Sequence, residues 1–202
     1  MKLKNIKENI YQVDFSSREE LLKTFIRFQE YYESPEFKGK DFSVEEYAEW
    51  YKENYNKEEF TYYSDWSGCN VPSYIFKDFR NGKISNLSER EKSLLDCLPK
   101  EGDFYVIGTF DGGKKYVIEH GTCHGLYFTD AKYRNRVLTL LEDYESHLKE
   151  VKDFVLNLGY HEDVLLDEVH AYIATTSHQL DEKGVCYPKD LVEKLRANAN
   201  LI

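Results

Sequence analysis

The stretch Asp103-Phe104-Tyr105-Val106-Ile107-Gly108-Thr109-Phe110-Asp111-Gly112-Gly113 is where the chain changes character. After the leading Asp103, residues 104–110 are aromatic and β-branched around one glycine, and Asp103 to Phe110 reads as the strongest strand in the sequence. Asp111-Gly112-Gly113-Lys114 lacks the spacing of a phosphate-binding loop and reads as a hairpin turn. From Lys115 onward the apolar spacing becomes helical. One helix runs through His120, His124 and Tyr127. A second spans about 131 to 158 and ends at Gly159, a left-handed C-cap. A third is capped by Asp163 and carries Leu165, Leu166, Val169, Tyr172 and Ile173. Pro188 and Asp190 open a last one.

Upstream of this stretch the pattern is mixed. Ile10-Tyr11-Gln12-Val13-Asp14-Phe15 alternates like a strand. Ser17-Arg18-Glu19-Glu20 is a capping box, followed by Leu21, Leu22, Phe25 and Phe28 at helical spacing, so a helix is expected over 18–31, with Pro35 just past it. Ser43-Val44-Glu45-Glu46 opens a short helix carrying Tyr47, Trp50 and Tyr51. Phe60 to Pro72 reads as strand and loop, with Cys69 in the loop. Ser73 to Phe79 fits strand or helix. Ser88-Glu89-Arg90-Glu91 opens a helix that Pro99 stops. Strands mostly in the first half and helices in the second give an α+β fold. The expectation is a small antiparallel sheet, mostly from the N-terminal half, packed on a helical C-terminal half, in one domain over 1–202.

Composition narrows the function. With 202 residues the chain can bury a real core, and 17 Tyr and 12 Phe argue for packing over disorder. A formal net charge of −10 disfavours binding to nucleic acid or to anionic membranes. No run of 18 apolar residues and no apolar leader are seen, which suggests a cytoplasmic protein. Cys69, Cys97, Cys123 and Cys186 are widely spaced and read as reduced thiols. A nucleophilic Cys69 would need a histidine beside it. Tyr31, Tyr32, Tyr62 and Tyr63 read as core or half-buried material.

The chemistry concentrates in His120-Gly121-Thr122-Cys123-His124. Histidines four apart lie about 40° from each other around a helix, one turn apart on one face. Two imidazoles so placed can hold one Zn²⁺, as in the His-Glu-x-x-His motif, where the Glu after the first His is the general base. Here that position is Gly121. Glu119 does not replace it: it lies about 120° from the centre of the pair, whereas position 121 lies about 80° away on the other side. Cys123 mirrors Gly121, placed either to approach a metal or to pack as a small apolar residue. Glu168, on a later helix, is a candidate third ligand. Tyr172 falls one turn further on the same face, where it could support a ligand or a reacting oxygen. His161, His170 and His178 fit surface or helix-end roles better than ligand roles.

Val117-Ile118-Glu119-His120-Gly121-Thr122-Cys123-His124-Gly125-Leu126-Tyr127-Phe128 resembles a Leu-Glu-His-Glu-x-Ala-His-Gly-Leu-Tyr-Tyr signature of small zincin-like proteins of bacteria and their phages. Asp167-Glu168-Val169-His170-Ala171-Tyr172 is similar to the Asp-Glu-x-x-Ala-Tyr helix of that group. Arg27 to Pro35 and Tyr62 to Pro72 also resemble it. The resemblance implies a zincin-like fold of the glutamate-ligand type, with His120, His124 and Glu168 as zinc ligands. The chain departs from the group at Gly121, where its catalytic Glu stands. Losing a general base is typically worth ~10²–10⁴ in rate, so ordinary peptide hydrolysis is expected to be crippled. Two functional expectations follow. One is a divergent zinc-binding protein, with or without a peptide-like substrate. The other is a non-catalytic protein-binding or inhibitory module, such as a phage accessory protein, on the same scaffold.

Overall fold

The three serine caps are the clearest link from sequence to structure. The computed structural model describes residues 1–113 and 115–201. In it Ser43 and Ser88 form reciprocal capping boxes with Glu46 and Glu91. Ser17 makes only half of one: its hydroxyl accepts from the Glu20 amide, while the Glu20 carboxylate takes the Ser16 hydroxyl instead. The fold is α+β, and the chain divides into two compact units, Met1–Lys114 and Lys115–Ile202.

The first unit carries all the strands. They are β1 (Lys2–Lys7), β2 (Ile10–Phe15), β3 (Cys69–Pro72) and β4 (Tyr105–Phe110), in the order β1-β2-β4-β3. The sheet is mixed, not wholly antiparallel, because β2 and β4 run parallel while β1 pairs antiparallel with β2 and β3 antiparallel with β4. The helices of this unit are α1 (Arg18–Glu33), α2 (Val44–Asn54), α3 (Tyr62–Asp65), α4 (Ser73–Arg80) and α5 (Glu89–Cys97). α1 lies against β3 and β4 and buries Leu21, Leu22, Phe25, Ile26 and Phe28. The close approach needs Gly108 on β4, where a Cβ would meet Leu21 Cδ1 at 2.5 Å and the Phe25 ring at 3.1 Å. Tyr31 and Tyr62 are in this core, with Tyr32 and Tyr63 half-buried at its edge.

Several expectations change here. The segment after Phe60 is not a strand from its start: α3 comes first, then β3, and Cys69 sits on that strand and not in a loop. Ser73 to Phe79 is helical, opened by Pro72 at the N-cap position, where a missing N–H costs nothing. The Asp111-Gly112-Gly113 turn, with Gly112 at φ +84°, does not join two antiparallel strands, since a helix follows it. Lys114 lies outside the described residues.

The second unit is helical: α6 (Lys115–Thr129), α7 (Ala131–Asp143), α8 (Lys149–Asn157), α9 (Leu165–Thr175), α10 (Ser177–Glu182) and α11 (Lys189–Ala199). α9 is its centre, contacting α6, α7, α8, α10 and α11. Glu168 to Thr175 are all buried, as expected of a helix covered on every side. The long helix expected over 131–158 is broken by a 3₁₀ turn at Glu145–His147. Val137 and Leu141 before the break and Leu148, Val151 and Val155 after it are all buried. Leu141 and Leu148 are seven apart, so the apolar stripe keeps its phase across the turn and conceals it. Asp163 lies inside a 3₁₀ turn, Glu162–Val164, whose cap is the His161 ring, and does not cap α9. Among the described residues no helix is long and apolar enough to cross a membrane.

Candidate metal centre

α6 presents His120 and His124 on one face, and α9 presents Glu168 opposite them. One ligand atom from each lies within 4.8 Å of the others. His120 Nε2 and His124 Nε2 are 3.0 Å apart. Glu168 Oε2 is 3.9 Å from His120 Nε2, and its Oε1 is 3.6 Å from His124 Nε2. His124 and Glu168 are almost wholly buried, and His120 keeps 17% of its side chain exposed, so solvent reaches the group past His120.

The surrounding residues decide which nitrogens carry protons. Thr175 Oγ1 sits 3.0 Å from His120 Nδ1 and donates its single proton to the Ala171 carbonyl at 2.7 Å. The hydroxyl must therefore accept from His120, which places the imidazole proton on Nδ1. His124 Nδ1 lies 2.9 Å from Asp167 Oδ1, a charge contact without hydrogen-bond alignment, and this again draws the proton to Nδ1. Both Nε2 atoms then present lone pairs to each other and to the Glu168 carboxylate. Burial holds both imidazoles in the neutral form: it lowers His124 to about 3 and His120 well below the usual histidine range, where the neighbouring His124 lowers it further. Two imidazole nitrogens and a carboxylate thus converge, a donor set that a cation fits.

The remaining expected residues fall into place around this group. Tyr172 sets its ring edge against His120, with centroids 5.3 Å apart, and also packs on Phe154 and Tyr160. Glu119 points away, as its helix position requires, and pairs with Lys115 and Arg196. Cys123 is buried as an apolar residue, its thiol pushed up to about 12 by burial, and it is not one of the converging ligands. Gly121 is buried. Cys69 is not an activated nucleophile: burial, with Glu33 and Glu30 nearby, raises its thiol far above the ordinary range. His178 is exposed beside Tyr116, and His161 caps its turn.

Three residues that spacing alone does not single out complete the surroundings. Thr175 is hydrogen-bonded to His120 Nδ1, and Asp167 sets a carboxylate oxygen against His124 Nδ1. His170 is fully buried, stacked on Tyr127 at 5.1 Å and edge-on to His124 at 6.1 Å, with Nδ1 3.4 Å from Asp167 Oδ1. The sequence signals were that Asp167 abuts Glu168 in the Asp-Glu-x-x-Ala-Tyr resemblance and that Thr175 follows Glu168 by seven residues, which returns it to the same face, whereas His170, expected at the surface or a helix end, is buried. Comparison with known protein families, characterised proteins and solved structures returns no match.

Proposed function

We propose that this chain is a metal-binding protein in which His120, His124 and Glu168 hold one Zn²⁺ between α6 and α9, on a degenerate zincin-like helix pair without ordinary peptidase activity. The observation that carries this reading is the convergence of the three donors within 4.8 Å. Two imidazoles and a carboxylate form a borderline donor set that suits zinc among divalent ions, and three protein ligands leave a fourth position. A bound Zn²⁺ would supply Lewis acidity and a bound water of lowered pKa.

The residues beside the site argue against peptide hydrolysis. Position 121 has no side chain to take a proton from a water. Glu119 is committed to Lys115 and Arg196, and Asp167 to His124. With His124 and Glu168 almost wholly buried, the metal would fasten two helices more readily than it would admit a peptide. The test is the metal content of protein purified without chelator, beside His120→Ala checked for folding by circular dichroism. About one zinc per chain in the wild type and little in the variant is the expected result, with no peptide cleavage by the loaded protein. A wild type that takes up no zinc overturns the reading.

A further inference from the structure

We propose that Asp167 is the positioning residue of this centre and that His170 anchors it, one carboxylate oxygen clamping both imidazoles. The inference rests on the metal reading above. Asp167 Oδ1 lies 2.9 Å from His124 Nδ1 and 3.4 Å from His170 Nδ1. Both histidines are buried, at 1% and 0% exposure, so neither Nδ1–H can turn to water for an acceptor.

An imidazole held only by packing can turn over about its Cβ–Cγ bond, which exchanges Nδ1 with Cδ2 and Nε2 with Cε1. For His124 that exchange would withdraw Nε2 from the other two donors. Asp167 opposes it by favouring a proton on Nδ1 and holding that edge of the ring against α9. A carboxylate behind a metal-ligating histidine fixes its tautomer and raises its basicity.

His170 has no other explanation in the packing. Its slot is lined by Tyr127, stacked at 5.1 Å, by Tyr133 at 5.9 Å and by His124 at 6.1 Å, which are surroundings a phenyl ring would fill. Instead an imidazole stands there with neither ring nitrogen aligned on a hydrogen-bond partner. Such a buried polar group is costly unless it serves a neighbour. It lies one turn after Asp167 on α9, and the charged group its Nδ1 faces is the oxygen that also faces His124. Asp167 Oδ1 faces both Nδ1 atoms at contact distance, and its negative charge favours a proton on each. The arrangement runs from the metal position through His124 to Asp167 and ends on His170.

The test is cobalt and zinc binding by full-length wild type, Asp167→Asn, Asp167→Ala, His170→Phe and Glu168→Gln. Affinities are read by chelator competition, and site geometry by the cobalt d–d absorption. Asp167→Asn should bind about 10–100-fold more weakly with altered cobalt bands, and His170→Phe should shift both in the same direction by less. Asp167→Asn is nearly isosteric and decides the matter should Asp167→Ala not fold. Wild-type affinity and wild-type bands in Asp167→Asn would overturn the clamp while leaving the metal site standing. If the wild type binds no cobalt or zinc, the metal reading fails and the clamp fails with it. Glu168→Gln, which removes a ligand itself, sets the scale of full loss.

Discussion

Glu30 gives the first unit a pH dependence whose sign and size follow from its surroundings. It is buried in α1 at 8% exposure and accepts from the Tyr62 hydroxyl at 2.7 Å, with Tyr47 also directed at it and Cys69 close by. Burial pushes its carboxyl from 4.5 up to about 7, and the tyrosine hydrogen bonds only partly offset this. The folded state therefore keeps a proton that the unfolded chain releases. Its contribution to stability is fully present below about pH 4.5 and is lost as pH rises through about 7. That rise corresponds to about 3 kcal/mol, taken at ~1.4 kcal/mol per pKa unit. Glu30→Gln keeps an acceptor for Tyr62 and removes the charge. At pH 5 it should be close to wild type, and at pH 8 it should be more stable by up to ~3 kcal/mol. Both tryptophans, Trp50 and Trp66, lie in this unit, so fluorescence-monitored urea denaturation reports on it without interference from the other. If the stability difference between variant and wild type is the same at pH 5 and pH 8, Glu30 is not buried as described.

Two further predictions concern buried polar groups. Arg27 spends all five N–H donors, two on the Glu91 carboxylate at 2.7 Å each and the rest on the carbonyls of Phe42, Ser85 and Asn86. Glu91→Gln should cost ~3–5 kcal/mol in the same fluorescence assay, because the guanidinium stays buried without its counter-charge, and a loss below ~1 kcal/mol would refute that account. At the candidate metal centre, Thr175→Val removes the acceptor of His120 Nδ1–H while keeping the shape. Zinc affinity by competition should fall about tenfold, and Thr175→Ser should restore it. A serine variant as weak as the valine one would show that the methyl group, and not the hydroxyl, matters.

The sequence and the structure agree where a local rule is strong enough to act alone. A serine three residues before a glutamate opened a helix at Ser43 and at Ser88, and helical spacing put His120 and His124 on one face of α6. Long-range consequences were less legible. β1 went unread because its residues are exposed on both faces, leaving no buried alternation to detect, and Asn9 at φ +59° closes its hairpin without a glycine. The parallel pairing of β2 with β4 joins residues about 95 apart, and no pattern within either strand distinguishes a parallel partner from an antiparallel one. The break after Asp143 was hidden for the opposite reason, since the apolar repeat continued through it.

The candidate metal centre divides along the same line. Its proposed ligands were readable because two of them share a helix turn and the third lies on a segment with its own signature. The residues that fix the ligands were not, because Asp167, His170 and Thr175 act through contacts that exist only once α6 and α9 are packed. This asymmetry bears on the missing base. A glycine at 121 by itself suggests an enzyme that lost one part. The structure instead sets that glycine, buried, in a group whose other members are each held: His120 by Thr175, His124 by Asp167, and Asp167 beside His170. A site decaying after loss of catalysis would have little reason to keep these three polar supports, Thr175 and His170 buried and Asp167 partly so, since each costs stability unless its partner needs it. Their presence around an inert position 121 favours the proposal that this site holds a metal and does not cleave a peptide.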